Sequence, residues 1–319
     1  MHGLAGATIA PASGDASFRR YFRVSAGGLT RIAMDAPPNR EDSRPYIRVA
    51  NHFESIGINS PRVLAADLDR GFLLLTDLGS TQYLTELKEH PARAPGLYAD
   101  ALQALIRMQE QSRHFHPELP PYDRKLLQFE LSLFSDWLCA RHLHLEIRGP
   151  DLGAWQACCN WLVASALRQP PVFVHRDYHS RNLMVTAADN PGVLDFQDAV
   201  VGPFTYDLVS LLKDCYIKWP AEQVRAWAMD FYSGIDADVH EHMTADEFMR
   251  SFDLMGVQRH LKAAGIFARL KERDGKSSYM DDVPRTLQYI TDIAPRYDEL
   301  SFLSRWIDEQ VLPRLRKHP

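Results

Sequence analysis

His175-Arg176-Asp177-Tyr178-His179-Ser180-Arg181-Asn182, followed by Asp195-Phe196-Gln197-Asp198, is the stretch on which the fold of this chain turns. Each half comes just after an apolar, strand-like run: Val172-Phe173-Val174 before the first, Gly192-Val193-Leu194 before the second. A strand that gives way to polar residues sets their side chains at the end of a sheet. The two runs therefore read as adjacent strands, with Asp177, Asn182 and Asp195 on one rim. Taken singly these residues say little, because Asp and Asn after a strand are ordinary turn residues. The H-x-D-x-x-x-x-N spacing joined to a second Asp after a second strand is far more specific.

Outward from this centre the chain changes character. Upstream, Ser17–Val24 and Thr30–Asp35 are rich in aromatic and β-branched residues and are split by Gly27-Gly28, so they read as strands. Residues 44–57 have a helical pattern, with Tyr46, Ala50, Phe53 and Gly57 at near-helical intervals. Arg62–Ala66 and Gly71–Leu75 flank Asp69-Arg70-Gly71 and read as a hairpin. After Leu78-Gly79 helical spacing dominates. Leu97, Ala101, Leu105 and Met108 make one face, residues 126–145 and 155–167 repeat the pattern, and the chain from Tyr206 onward is helical. The fold class is therefore α+β in two lobes: a β-rich N-terminal lobe, residues 1–77, and a mainly helical C-terminal lobe, residues 78–319. Small ligands favour clefts at such junctions.

Composition removes several function classes. A net charge of −5 argues against a nucleic-acid binder. The four cysteines include the adjacent pair Cys158-Cys159 and form no C-x-x-C pair, which fits neither a disulfide framework nor a zinc site. The N-terminus lacks a signal-peptide pattern, and no apolar run approaches the roughly 20 residues of a membrane span. These features predict a cytoplasmic protein with reduced thiols and no nucleic-acid or membrane partner; the cleft expected between the lobes suits a small-molecule substrate, and no obligatory protein partner is expected. The strand that starts near Thr8 leaves room for a longer native N-terminus.

The central stretch holds what phosphoryl transfer requires: a carboxylate to receive the acceptor's proton, and oxygen ligands for a magnesium ion between phosphates. His175–Asn182, Asp195–Ala199, Gly202-Pro203 and Tyr206-Asp207-Leu208 together resemble the aminoglycoside phosphotransferase and choline kinase superfamily. The resemblance implies a protein-kinase-like bilobed fold and ATP with Mg2+. It implies Asp177 as catalytic base, Asn182 and Asp195 as metal ligands, His175 as a brace and Asp207 as a support of the loop. Asp207 also suits a helix N-terminus as a plain cap.

A narrower resemblance spans most of the chain. Ser13–Arg23, Met34-Asp35-Ala36-Pro37-Pro38, Gly71–Gly79, Asp214-Cys215-Tyr216 with Trp219-Pro220, and Gln258–Lys262 are similar to the anomeric sugar kinases of cell-wall recycling. It implies phosphorylation of N-acetylmuramate and N-acetylglucosamine at the anomeric hydroxyl. There are departures. The phosphate-covering loop, Ser13-Gly14-Asp15-Ala16-Ser17, has one glycine, and Met34-Asp35 stands where the phosphate-binding lysine is usual. Arg19, Arg20 or Arg31 would supply the missing charge, or all three are solvated strand residues. Glu54 would then lack its usual lysine partner. Thr76, Asp77 and Leu78 would offer main-chain groups to adenine.

For the acceptor, Arg259, Lys262 and Arg269 share one helix face. They read either as binders of the lactyl carboxylate of N-acetylmuramate or as the charged outer face of a packed helix. Trp137, Trp219 and Tyr216 read as sugar-stacking or core aromatics. Two competing functions remain. One is a kinase of an aminoglycoside or other amino-alcohol, for which Glu130 and Asp136 would supply acidic groups. The other is a nucleotide-binding module without catalysis.

Overall fold

Gly27 and Gly28 have positive φ, 54° and 81°. That is the requirement of a two-residue type I′ turn. The turn joins β2 (Arg20–Ala26) to β3 (Leu29–Asp35), with Ala26 opposite Leu29. With β1 (Thr8–Gly14), β4 (Val63–Asp67) and β5 (Phe72–Thr76) they make a five-stranded antiparallel sheet in the order β1-β2-β3-β5-β4. The computed structural model describes residues 6–14, 18–236 and 243–316. Within these the chain forms two units. The first comprises the described residues up to Phe115 together with Ser180–Ala199, and the second comprises His116–His179 and Val200 onward.

In the first unit, strand alternation buries Met34, Leu73 and Leu75. Helix α1 (Arg44–Ser55) buries Tyr46, Val49, Ala50 and Phe53 at helical spacing. Phe196 joins this core, with its ring centroid 4.7 Å from that of Tyr46 and 5.2 Å from that of Phe53. Helices α2 (Tyr83–Glu89) and α3 (Ala94–Gln111) follow, and α3 buries Leu97, Ala101, Leu105 and Met108 as the spacing predicts. The returning segment is tied in by main-chain bonds. Leu84 N–H donates to Ser180 O (3.0 Å), Val185 N–H to Thr81 O (2.8 Å) and Val193 N–H to Asn59 O (2.7 Å).

The predicted pairing of the two central runs does not occur. β6 (Pro171–Val174) pairs with β9 (Val200–Pro203) in the second unit, while β7 (Leu183–Met184) pairs with β8 (Gly192–Val193) in the first. Two-residue strands carry no alternation, so Leu183-Met184 left no strand signal in the sequence.

The second unit is helical apart from β6 and β9. Asp123 caps α4 (Arg124–Leu133) by accepting from Leu126 N–H, and α4 runs on into a π-helical segment, Phe134–His142. Helices α5 (Pro150–Leu167), α6 (Tyr206–Leu212) and α7 (Ala221–Gly234) precede a 30-residue helix, Ala245–Asp274. A Thr244/Glu247 capping box starts the long helix and Gly275, with φ 69°, ends it. Its middle is buried on nearly every side, as expected of a central rather than a surface helix. At Gly265 a Cβ would lie 2.3 Å from the Leu133 carbonyl carbon, so only glycine permits this close crossing. Among the described residues no helix is long and apolar enough to cross a membrane.

Candidate active site

The loop after β6 is bent at Arg176, whose φ is +78°, unusual for a residue with a Cβ. Asp207, fully buried in the first turn of α6, holds the bend. Its carboxylate accepts from the main-chain N–H of His175 (2.6 Å) and of Arg176 (3.0 Å). Burial pushes Asp207 up to about 6, against the pull of His175 and of these two N–H groups. His175 is buried, and its Nδ1 accepts from the Asp177 N–H at 3.3 Å. His175 and Asp207 thus both set the main chain that presents Asp177.

Asp177 opens into a cavity lined also by His179, Asp214, Tyr216, Arg259 and Lys262. Burial disfavours its charge, but Lys262, His179, Arg259 and Arg176 outweigh this and hold the carboxyl at about 2. Burial lowers His179 to about 4, with Asp214 and Asp177 opposing, so its imidazole is neutral near pH 7. Beneath the cavity, Glu130 is almost fully buried. It accepts from Arg176 (2.7 Å), Gln258 (3.2 Å) and the Tyr122 hydroxyl, and lies 3.2 Å from Lys262 Nζ. Burial opposes charge on Glu130 too, but Lys262 and Arg176 keep it ionised.

Arg259 and Lys262, 5% and 7% exposed, are not a solvated outer face. The outer-face reading assumed that one side of the helix meets water, whereas this helix is central. Glu130 is no free acidic group for a cationic acceptor, since its charge is already paired, and Asp136 is exposed. Of the three aromatics, Tyr216 lines the cavity. Trp137 instead lies under Arg141 and Trp219 packs on Trp227.

The candidate metal ligands belong to the first unit. Asn182 Nδ2 lies 3.3 Å from Asp195 Oδ2, Gln197 Nε2 donates to Asp195 Oδ1 at 2.7 Å, and Leu194 N–H donates to Asn182 O at 2.9 Å. Asp195 takes φ +62°, a strained value of the kind concentrated at functional sites. Among the described residues no three His, Cys, Asp or Glu side chains converge as a metal cage. One carboxylate and one amide oxygen nevertheless suit Mg2+, which usually completes its shell with phosphate oxygens and water.

Of the residues read as ATP-binding, Arg19 is buried against Glu41 at 2.9 Å. Arg20 pairs with Asp35 directly across the β2–β3 ladder, so the aspartate at the lysine position is neutralised from its neighbouring strand. Arg31 donates to the Thr30 carbonyl (2.7 Å) and, among the described residues, forms no ion pair. Met34, at that same lysine position, is fully buried. Glu54 is exposed and 3.7 Å from Arg62. The Asp77 carboxylate is taken up by Arg23 (2.7 and 3.0 Å) and by Gly79 N–H (3.0 Å). Thr76 N–H donates to Arg62 O at 3.0 Å, while the Leu78 side chain faces Gly192. Of the phosphate-covering loop, Asp15–Ser17 lie outside the described residues.

A model of the phosphotransferase enzyme family matches residues 8–241. The chain belongs to that family. This phosphotransferase is 49% identical over 302 residues to the N-acetylmuramate/N-acetylglucosamine kinase of Pseudomonas aeruginosa, covering 93% of this chain and 87% of the relative. It is 45% identical over 303 residues to the protein of the same name from Pseudomonas putida, covering 95% and 88%. In fold it is similar to an ethanolamine kinase of Plasmodium vivax, with TM-score 0.65 at 11% identity over 89% of this chain and 82% of that one. The α+β, kinase-like architecture read from the sequence is thus the architecture of this phosphotransferase. Sequence reasoning did not single out His179, Asp214 or Arg176 as lining or supporting the site. Asp214 lies in the Asp214-Cys215-Tyr216 run and the other two in the central stretch itself, but nothing local along the chain marks their direction.

Proposed function

We propose that this phosphotransferase transfers the γ-phosphoryl group of ATP to the anomeric hydroxyl of N-acetylmuramate and N-acetylglucosamine, in peptidoglycan recycling. The observation that carries the reading is Asp177, held ionised at the wall of a cavity whose cationic lining includes Arg259 and Lys262. The acceptor names borne by the Pseudomonas relatives support the sugar assignment. Asp177 orients the acceptor hydroxyl and takes its proton. At about 2 it is a weak base, which suits a loose transition state in which the proton leaves late. Positioning and charge neutralisation then supply most of the rate. Asn182 and Asp195 would hold Mg2+, which when bound neutralises charge on the phosphate oxygens. Nucleotide binding falls to residues 1–77, with main-chain groups near Asp77 and Leu78 for adenine and Arg31 as the available cation.

An amino-alcohol acceptor is disfavoured because Glu130 is paired and Asp136 is exposed. A coupled ADP-release assay over a sugar and amino-alcohol panel tests the proposal, with Asp177→Asn as control. Release with both sugars, reduced about 10²- to 10⁴-fold in the variant while ATP still binds, is the expected result. Release with amino-alcohols alone refutes the acceptor. No acceptor-dependent release with any compound favours the binding module.

A further inference from the structure

The cavity wall holds two buried cations of different status. Lys262 Nζ is 3.2 Å from the Glu130 carboxylate and donates to the Tyr206 hydroxyl at 2.8 Å, so its charge is met inside the protein. Arg259, on the same helix, is 5% exposed. Its Nη1 reaches only the Cys215 sulfur, at 3.9 Å, and thiols are weak acceptors. Its Nε is buried without an acceptor, and among the described residues it forms no ion pair. The face of Tyr206 lies 6.0 Å from its guanidinium carbon. Burial opposes its charge, while Cys215, Tyr206, Asp177 and Asp214 favour it through space.

A buried guanidinium with an unmet N–H is costly. Such a group in a cavity wall asks for an anion, and its planar fork matches a carboxylate bidentately. Beside it the wall is apolar, with Ala263, Ile266 and Phe267. A carboxylate on a short apolar stem fits that pairing of surfaces. The lactyl ether of N-acetylmuramate is such a group, and N-acetylglucosamine has only a hydroxyl in its place.

We infer that Arg259 is the specificity-determining residue of the acceptor site: it binds the lactyl carboxylate and favours N-acetylmuramate over N-acetylglucosamine. Lys262 is a positioning residue, tied to Glu130 beneath the site, and does not bind the carboxylate. The inference rests on the acceptor reading proposed above.

The test compares three acceptors: N-acetylmuramate, its lactyl amide, and N-acetylglucosamine. The amide keeps the size of the group and removes its charge. With the unmodified enzyme, kcat/KM falls about tenfold or more from acid to amide, mostly in KM, as expected for one lost charged hydrogen bond. In Arg259→Gln, the loss on N-acetylmuramate exceeds the loss on N-acetylglucosamine by about tenfold or more, and the acid and amide become equivalent. Arg259→Lys keeps the charge but not the fork, and recovers part of the discrimination. Equal losses on both sugars would assign Arg259 to the phosphoryl group or to packing and overturn the inference. An unmodified enzyme that does not separate acid from amide overturns it as well, whatever the variants do. Failure to phosphorylate either sugar removes the acceptor reading and the inference with it. Activity on both with no Arg259 discrimination removes the inference alone.

Discussion

Glu130→Gln probes the charge arrangement of the second unit most directly. One buried carboxylate serves Arg176 at 2.7 Å and Lys262 at 3.2 Å, and accepts from Gln258 and Tyr122. Glutamine keeps the volume but removes the charge, and its NH2 must face a cation or the tyrosine hydroxyl. Removing one partner of a buried pair costs about 3–5 kcal/mol. At about 2–4 °C per kcal/mol for a unit of this size, the melting temperature falls by roughly 6–20 °C. Thermal unfolding followed by circular dichroism near neutral pH is the assay. Adding Lys262→Met removes one of the stranded cations, so the double variant is expected to be more stable than the sum of the single losses by about 1 kcal/mol or more. The pH dependence has a definite sign. The folded carboxyl is held below its usual 4.5. Its stabilisation is therefore present above that value and is lost as pH falls through the lower folded value. The advantage of the parent over Glu130→Gln should be constant near neutrality and shrink in acid. A variant within about 2 °C of the parent, or an advantage that grows in acid, refutes the assignment of Glu130 as shared counter-ion.

Three further outcomes follow from particular contacts. A carbon-detected NMR titration of Asp177 should show it ionised down to low pH, its contribution to stability present above 3.8 and lost as pH falls towards about 2; a midpoint above about 4 contradicts the cationic surroundings described. Arg31→Ala should raise KM for ATP several-fold with a smaller change in kcat, and of the three candidate arginines should do so most, because Arg19 and Arg20 are paired with Glu41 and Asp35; no change in KM in any of the three alanine variants ends the idea that arginine replaces the lysine. Gly265→Ala places a methyl group 2.3 Å from the Leu133 carbonyl carbon and should destabilise by about 1–3 kcal/mol, read in denaturant midpoints; an unchanged midpoint shows that the two segments separate easily.

What the sequence made legible was whatever is local along the chain. The Gly27-Gly28 turn, the α1 stripe, the α3 face and the strand-to-loop position of Asp177 all depend on residues within a few places of one another. The partners of the central strands are not legible in the sequence because β7 and β8 are two residues long, and their pairing depends on the surrounding chain. The charges were harder still. Arg259 and Lys262 sit three places apart on one helix and look alike in any periodic plot. The difference between them is set 132 positions upstream of Lys262, by Glu130, which pairs with the lysine and not with the arginine. Helical periodicity also assumes that one side of a helix meets water, and a central helix breaks that assumption at the place where its charges matter most. The carboxylate that reads as an acidic lure for a cationic substrate neutralises Lys262, while Arg259 in the same cavity wall forms no ion pair among the described residues. The acceptor chemistry proposed for this protein therefore depends on a residue that does not line the cavity.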